Sequence, residues 1–329
     1  MSYFVFDIET APDLDLQEEE EKEEPEEAPP PKKRKAKGGE VVGELEPVVK
    51  AAKKKFPPPS FHEVVSIAGA FLDADRKLIR LGVFGLDKDG NGKGEQSMLS
   101  DFVRFYEKER PTLISWNGRK FDLPIIGLRC FRHGISWPSY YGGTKGKDPR
   151  YRYMHEGHLD VMDYLADYGS GTMSKQDHVS RLVGMPGKID GIDGGDVEGL
   201  VRSGQIDKVR TYNLQDVVQL SALFFRTELL RGRIDRMEYQ TILRALFDKA
   251  AVDPRTKPVV EGTNIERLFL TESAASAATL RALILKEAPP PEPQLSLGIE
   301  GAEGAWSAAV ARLADEVVDA SLLPRYRVL

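Results

Sequence analysis

Near its start the chain reads Tyr3-Phe4-Val5-Phe6-Asp7-Ile8-Glu9-Thr10, an aromatic and β-branched run that ends on two acids one residue apart. Such a run favours a strand. Strand side chains alternate faces, so Tyr3, Val5, Asp7 and Glu9 share one face while Phe4, Phe6 and Ile8 share the other. Two carboxylates side by side at the end of a buried-looking strand repel each other and raise a pKa unless positive charge sits between them. Divalent cations would supply that charge, and further ligands would then have to arrive from distant sequence.

The bulk numbers exclude several other readings. With 329 residues and a hydrophobic fraction of 41%, the chain is long enough to bury a core of one large or two ordinary domains. The single cysteine, Cys130, leaves no internal disulfide framework and no Cys-rich zinc site; it points to a reducing interior and reads as a small buried hydrophobe. No apolar run reaches the roughly 18 residues of a membrane span, and the N-terminus lacks a signal-peptide layout, so the expectation is a soluble cytoplasmic protein without membrane contact. Net charge is −6, but residues 13–59 hold 13 acids against 10 bases, so half of it is concentrated there. A nearly neutral domain whose carboxylate pocket holds divalent ions can still receive a polyanion.

Residues 14–59 contain EEEEKEEPEEAPPPKKRKAKGG and end on FPPP, before Ser60. This composition buries too little apolar surface to offset chain entropy and reads as a disordered, charged, Pro-rich insertion. Its basic run, Lys32 to Lys35, fits a charge-patterned spacer, a nuclear address or a phosphate-binding arm. Beyond it, His62–Leu72 and Leu78–Leu86 predict an antiparallel hairpin about a short polar turn. Residues 97–110 have helical spacing, Pro111 ends them, and Thr112–Trp116 reads as a short strand. Helices are expected after Asp122 and over 158–168, 174–183, 205–230 and 234–250. Residues 251–329 are an Ala- and Pro-rich extension with a helical stretch, a Pro run at 289–293 and a helix near 305–320. The fold class is α/β, with 1–13 and 60–250 forming one domain around a mixed sheet.

Three separated pieces share one chemical theme: Asp7-Ile8-Glu9-Thr10 at a strand end, Asn117-Gly118-Arg119-Lys120-Phe121-Asp122 where a strand turns into a helix, and Tyr212-Asn213-Leu214-Gln215-Asp216. In the third, i, i+4 spacing sets the phenol and the carboxylate on one helix face. Each has a bland reading alone: a solvated edge pair, an N-cap at Asp122, an exposed helix pair. Together they offer four carboxylates and a phenol.

In that order the three pieces resemble the motifs of the DEDD superfamily of 3′-5′ exonucleases, in the DEDDy subgroup with a Tyr-x-x-x-Asp third motif. The stretch 186–217 is similar to the branch of predicted exonucleases related to the proofreading domain of family B DNA polymerases. The resemblance covers about residues 1–13 and 60–232. It implies an RNase H-like five-stranded mixed sheet flanked by helices, with the site at the carboxylate-bearing strand end. It further implies two divalent ions, Mg²⁺ or Mn²⁺, of the kind that bind oxygen ligands and activate water for in-line displacement. Asp7 would bridge both ions, Glu9 and Asp216 would complete the first, and Asp122 would hold the second. Tyr212 would orient the attacking water, since a free phenol titrates near pH ~10. Thr10, Asn117, Phe121 and Lys188 are the expected substrate contacts, Phe121 chiefly through packing. The implied reaction is hydrolysis of terminal phosphodiesters of single-stranded nucleic acid to nucleoside 5′-monophosphates, with DNA favoured over RNA. The rivals are an exoribonuclease of the same fold, since DNA and RNA differ by contacts to the 2′-hydroxyl, and an inactive scaffold. A protein partner could engage residues 14–59 or 251–329.

Other signals fall short. Asp87-Lys88-Asp89-Gly90-Asn91-Gly92 begins like a calcium loop but has Met98 where a bidentate Glu is needed. His155 and His158 precede Asp160 without a Cys or third His nearby, so zinc is not supported; Asp160 and Asp163 stay open as contributors to the functional region. Gly142–Lys147 lacks P-loop spacing and reads as a basic loop.

Overall fold

The strand expected at the N-terminus is β1, Tyr3–Pro12, in a computed structural model that describes residues 1–16, 57–143, 148–189, 191–192 and 194–287. The elements that follow are β2 (His62–Leu72), β3 (Leu78–Val83), α1 (Glu95–Glu109), β4 (Thr112–Ser115), α2 (Asp122–Arg132) and α3 (Pro138–Tyr141). Then come β5 (His158–Asp160), α4 (Val161–Leu165), α5 (Gln176–Val183), α6 (Val197–Arg202) and α7 (Ile206–Leu230). The described chain closes with α8 (Arg236–Ala250), α9 (Lys257–Glu261), α10 (Ile265–Phe269) and α11 (Ala274–Leu285). Most of the 14–59 insertion with its basic run, positions 144–147 of the Gly142–Lys147 loop, the Pro run and the helix expected near 305–320 lie outside the described residues.

Five strands form one mixed sheet in the order β3-β2-β1-β4-β5. β2 runs antiparallel to both β1 and β3, while β4 and β5 run parallel to β1. This is the RNase H-like arrangement, and it puts the carboxylate-bearing strand at the centre. Alternation along β1 decides what each face meets. Phe4, Phe6 and Ile8 pack with Ile67, Leu99, Phe102, Leu113, Ile126 and Cys130 under α1 and α2. Val5 joins Ala68, Ala70, Ile114 and the buried face of α7 on the other side. Asp7 and Glu9, in phase with Val5, therefore face α7. That helix is buried on most sides, with Leu214, Val217, Val218, Leu220 and Phe224 fully buried, because the sheet lies on one side and further helices, α8 among them, on the other. Gly69 on β2 leaves room for the Phe4 ring, which a Cβ at that position would overlap.

Where the chain leaves the sheet after β1, it is pinned. The Asp13 N–H donates to the Phe61 carbonyl at 2.8 Å, and Thr10 Oγ1 and His62 Nδ1 share a hydrogen bond of 2.9 Å. The Asp13 carboxylate receives Arg129 Nη1 at 2.6 Å, and Arg129 also meets Glu95 at 2.6 Å, joining β1 to α1 and α2 in a buried ion cluster. Arg129 accordingly holds the Asp13 carboxyl below its ordinary range against the opposing effect of burial. The insertion thus departs and returns at one hydrogen-bonded junction.

Two expectations are corrected. The helix read over 158–168 begins as β5: Leu113, Ile114 and Ser115 pair in parallel with His158, Leu159 and Asp160, and the helix starts only at Val161, with Asp160 accepting the Asp163 N–H as its cap. A three-residue strand has no periodicity of its own, and its pairing with β4 overrides the helical spacing that follows. The strand read over 78–86 stops at Val83, and Leu86 instead bridges Gly92 across the Asp87 turn, whose carboxylate caps its own loop N–H groups rather than forming a calcium loop. Beyond Ala250, α9 to α11 contribute Val259, Val260, Leu268, Phe269 and Ile284 to the same core as α7.

Candidate active site

β1 carries Asp7 and Glu9 to the sheet end, and its register against β2 shifts just after the second acid, between Glu9 and Thr10. α7 crosses that end and presents Tyr212, Asn213 and Asp216. One carboxylate oxygen each from Asp7, Glu9 and Asp216 lies within 4.8 Å of the others. Asp122 arrives on the first turn of α2, and its Oδ1 accepts the Ile8 N–H at 3.2 Å, between the two β1 acids. Asp122 is outside the tight group of three, and it is not the N-cap that its position suggests. Phe121 holds the cap position, and the Asp122 side chain spans to β1 instead.

Electrostatics follow from that geometry. Burial, with Asp122, Glu9 and Asp216 adding repulsion, raises the Asp7 carboxyl well above its ordinary value. Glu9 is raised in the same way by burial, then by Asp216 and Asp122. Burial brings Asp122 to about 7, opposed by the Ile8 N–H. Asp216 is pushed up to about 7 by burial, opposed by a hydrogen bond from Tyr212 and by the charge of Lys188. The Tyr212 phenol is raised by burial and by Asp216, Glu9 and Asp7, so it keeps its proton. Burial and mutual repulsion disfavour ionising these carboxylates together, and an all-oxygen donor set of this kind suits hard divalent ions.

Two residues in this arrangement escaped the sequence reading. Asn213 Nδ2 donates to Asp7 Oδ2 at 2.7 Å, and Ser66 Oγ on β2 donates to Asn213 Oδ1 at 2.8 Å. Both are fully buried. Asn213 stood in view inside the third motif; Ser66, 147 residues away in sequence, gave no local signal.

The remaining expected positions are spread around the site. Asn117 takes a left-handed conformation (φ 64°) in the turn between β4 and α2, and its N–H donates to Asp160 Oδ1 at 2.9 Å. The Arg119 N–H donates to the other oxygen of Asp160 at 3.0 Å, so the open role of Asp160 is to hold this turn. Phe121 packs against the core under α1 and α2 and meets the His62 ring edge-on, with centroids 5.7 Å apart. Thr10 is engaged with His62. Lys188 lines a cavity of about 170 Å³ with Tyr212, Asp216 and Gln176. His155 and His158 form no joint metal site: His158 Nε2 meets Ser115 Oγ at 2.7 Å and His155 Nε2 meets the Tyr168 hydroxyl at 2.6 Å. Asp163 is paired with Arg152. Among the described residues, no helix is long and apolar enough to cross a membrane.

Comparison with known proteins gives one informative match. Residues 54–258, more than half of the chain, match the model of a family described as a predicted 3′-5′ exonuclease related to the exonuclease domain of PolB. That range starts after Asp7 and Glu9, which the fold supplies from across the insertion. No curated protein sequence matches significantly. Among solved structures, an ExoI/SSB-Ct complex and Escherichia coli exonuclease I with a dA16 oligonucleotide are each 12% identical over 72% of this chain, with TM-scores of 0.33 and 0.29. The chain covers 46% of both. E. coli exonuclease I with a dT13 oligonucleotide is also 12% identical, over 100% of this chain and 83% of that one, with a TM-score of 0.30. Likeness of that extent fixes no functional detail. On the family match, the chain belongs to the predicted 3′-5′ exonucleases related to the exonuclease domain of PolB.

Proposed function

We propose that this 3′-5′ exonuclease hydrolyses the terminal phosphodiester of single-stranded nucleic acid, DNA in preference to RNA, and releases nucleoside 5′-monophosphates. The observation that carries the reading is the meeting of Asp7, Glu9 and Asp216 within 4.8 Å, with Asp122 beside them, all four raised by burial. Asp7, Glu9 and Asp216 would hold one Mg²⁺ or Mn²⁺ ion, and Asp122 with Asp7 a second. Such ions, when bound, lower the pKa of water and stabilise charge on a leaving oxygen. The DNA preference rests on the family's relation to a DNA polymerase domain.

The chain's own groups have separable tasks. Tyr212 retains its proton, so it orients the attacking water by hydrogen bonding and does not remove a proton from it. Asn213 holds the Asp7 carboxylate in one orientation. Lys188, which lines the cavity with Asp216, meets a substrate phosphate. Thr10 and Asn117 would contact the terminal nucleotide, with Phe121 supporting them through packing.

The test is to incubate the full chain with matched, end-labelled DNA and RNA single strands and Mg²⁺, Mn²⁺ or chelator. DNA should shorten from its 3′ end only with metal, and Asp7→Ala should stop it. No shortening with metal, or an equally active Asp7→Ala, would overturn the proposal; faster loss of RNA would reassign the substrate.

A further inference from the structure

Beside the turn that carries Asn117 lies a cavity of about 180 Å³, lined by Asn117, Arg119, Lys120, Arg152, Asp160 and Met173. Its acids are committed: Asp160 to backbone N–H groups, and Asp163 to Arg152 through contacts of 2.7 and 2.5 Å. Arg119 Nε is buried there without a hydrogen-bond partner among the described residues. Arg119 also ties the cavity to the next segment, donating from Nη1 to the Pro149 and Arg150 carbonyls at 3.4 and 3.0 Å.

That segment carries Tyr151 and Tyr153, which are 56% and 55% exposed. Their rings meet edge-on at 5.9 Å, Tyr153 meets Tyr168 at 4.9 Å, and Arg152 lies 5.8 Å over the Tyr168 ring. Arg150 lies 5.4 Å over Tyr141, itself 47% exposed. Exposed rings interleaved with guanidinium groups suit unpaired bases, whose faces stack on aromatics, and the phosphates between them. A duplex hides those faces, and an acidic peptide does not repeat a ring and an anion at every unit as a single strand does.

We infer that Tyr151 and Tyr153, with Arg150 and Arg152, form a strip that binds the single-stranded nucleic acid 5′ of the scissile end, reached from the carboxylates by way of the Arg119 cavity. The inference rests on the proposed exonuclease reading and adds a dependence on substrate length. A dinucleotide fills the catalytic end alone; a long strand also reaches the tyrosines.

Steady-state hydrolysis of a dinucleotide and of a long oligothymidylate, by the wild-type chain and by Tyr151→Ala/Tyr153→Ala, tests it. The double variant should raise KM on the long strand about tenfold or more, from the loss of base stacking, with kcat unchanged and dinucleotide kinetics unmoved. Tyr151→Phe/Tyr153→Phe should behave as wild type, because the rings and not the hydroxyls do the binding. An equal change on both substrates, or none on either, would overturn the inference. If the wild type degrades nothing, the exonuclease reading fails by itself, and fluorescence anisotropy with a labelled single strand in chelator then decides the strip. Weaker binding by the alanine variant alone supports it; equal binding by both, or equal loss on a duplex probe, overturns it.

Discussion

An amide donates at one end and accepts at the other, and at Asn213 both ends are engaged: Ser66 donates to its oxygen while its nitrogen donates to Asp7. The hydroxyl thereby fixes which way the amide points, and the amide fixes the carboxylate. Partners that orient a metal ligand typically control metal affinity about 10- to 100-fold. Asn213→Ala is expected to weaken Mn²⁺ binding, measured calorimetrically, by about that factor, with Ser66→Ala weaker in the same direction. Tyr212→Phe should leave Mn²⁺ binding intact and lower kcat by about 100-fold, at the lower end of what a positioned proton-handling group contributes. The motif residues were readable because each sits in a short local pattern. Ser66 was not, because its role exists only once β2 lies under α7.

Between residue and element stands His158, whose imidazole burial holds well below its ordinary value of 6.5, with Arg119 and His155 adding to the effect. In the unfolded chain it takes a proton near pH ~6.5 and in the folded chain it does not, so the unfolded state binds more protons below that pH. Its contribution to stability is therefore intact above about pH 6.5 and falls as the pH drops. The raised carboxylates act the other way in metal-free protein, because there the folded state binds the extra protons. Comparing denaturation midpoints of wild type and His158→Gln between neutral and mildly acidic pH isolates the histidine. The wild type should lose more stability on acidification than the variant.

At the scale of elements, β1 and β2 pair as the antiparallel arms of a hairpin. Asp13 and Phe61 are hydrogen-bonded, and Arg129 anchors Asp13, so these contacts close the junction between the two strands. Lengthening a loop costs little once its ends are fixed. Replacing residues 17–56 by a short Gly-Ser linker should preserve both the thermal midpoint and exonuclease activity. Loss of either would show that the segment does more than connect. Strand and helix placement was largely readable from alternation and spacing. β5 was not, since three residues become a strand only through β4. Likewise Val259, Leu268 and Phe269 look like scattered apolar residues in a tail until the back of α7 is there to receive them.

For the whole molecule, the sheet order makes the site possible. The central β1 brings two acids to one end, β4 runs parallel beside it and delivers Asp122 on the following turn, and α7 lays Tyr212 and Asp216 across the gap. Four carboxylates then sit where burial and mutual repulsion raise their pKa values and disfavour their charged forms. The central claim is that divalent cations resolve this conflict, and it is tested most directly by titrating the full, metal-stripped chain with Mn²⁺ in a calorimeter. The wild type should bind two ions, and Asp7→Ala, lacking a carboxylate that would serve both, should lose at least one. Absence of Mn²⁺ binding in the wild type, or an unchanged isotherm for Asp7→Ala, would contradict it.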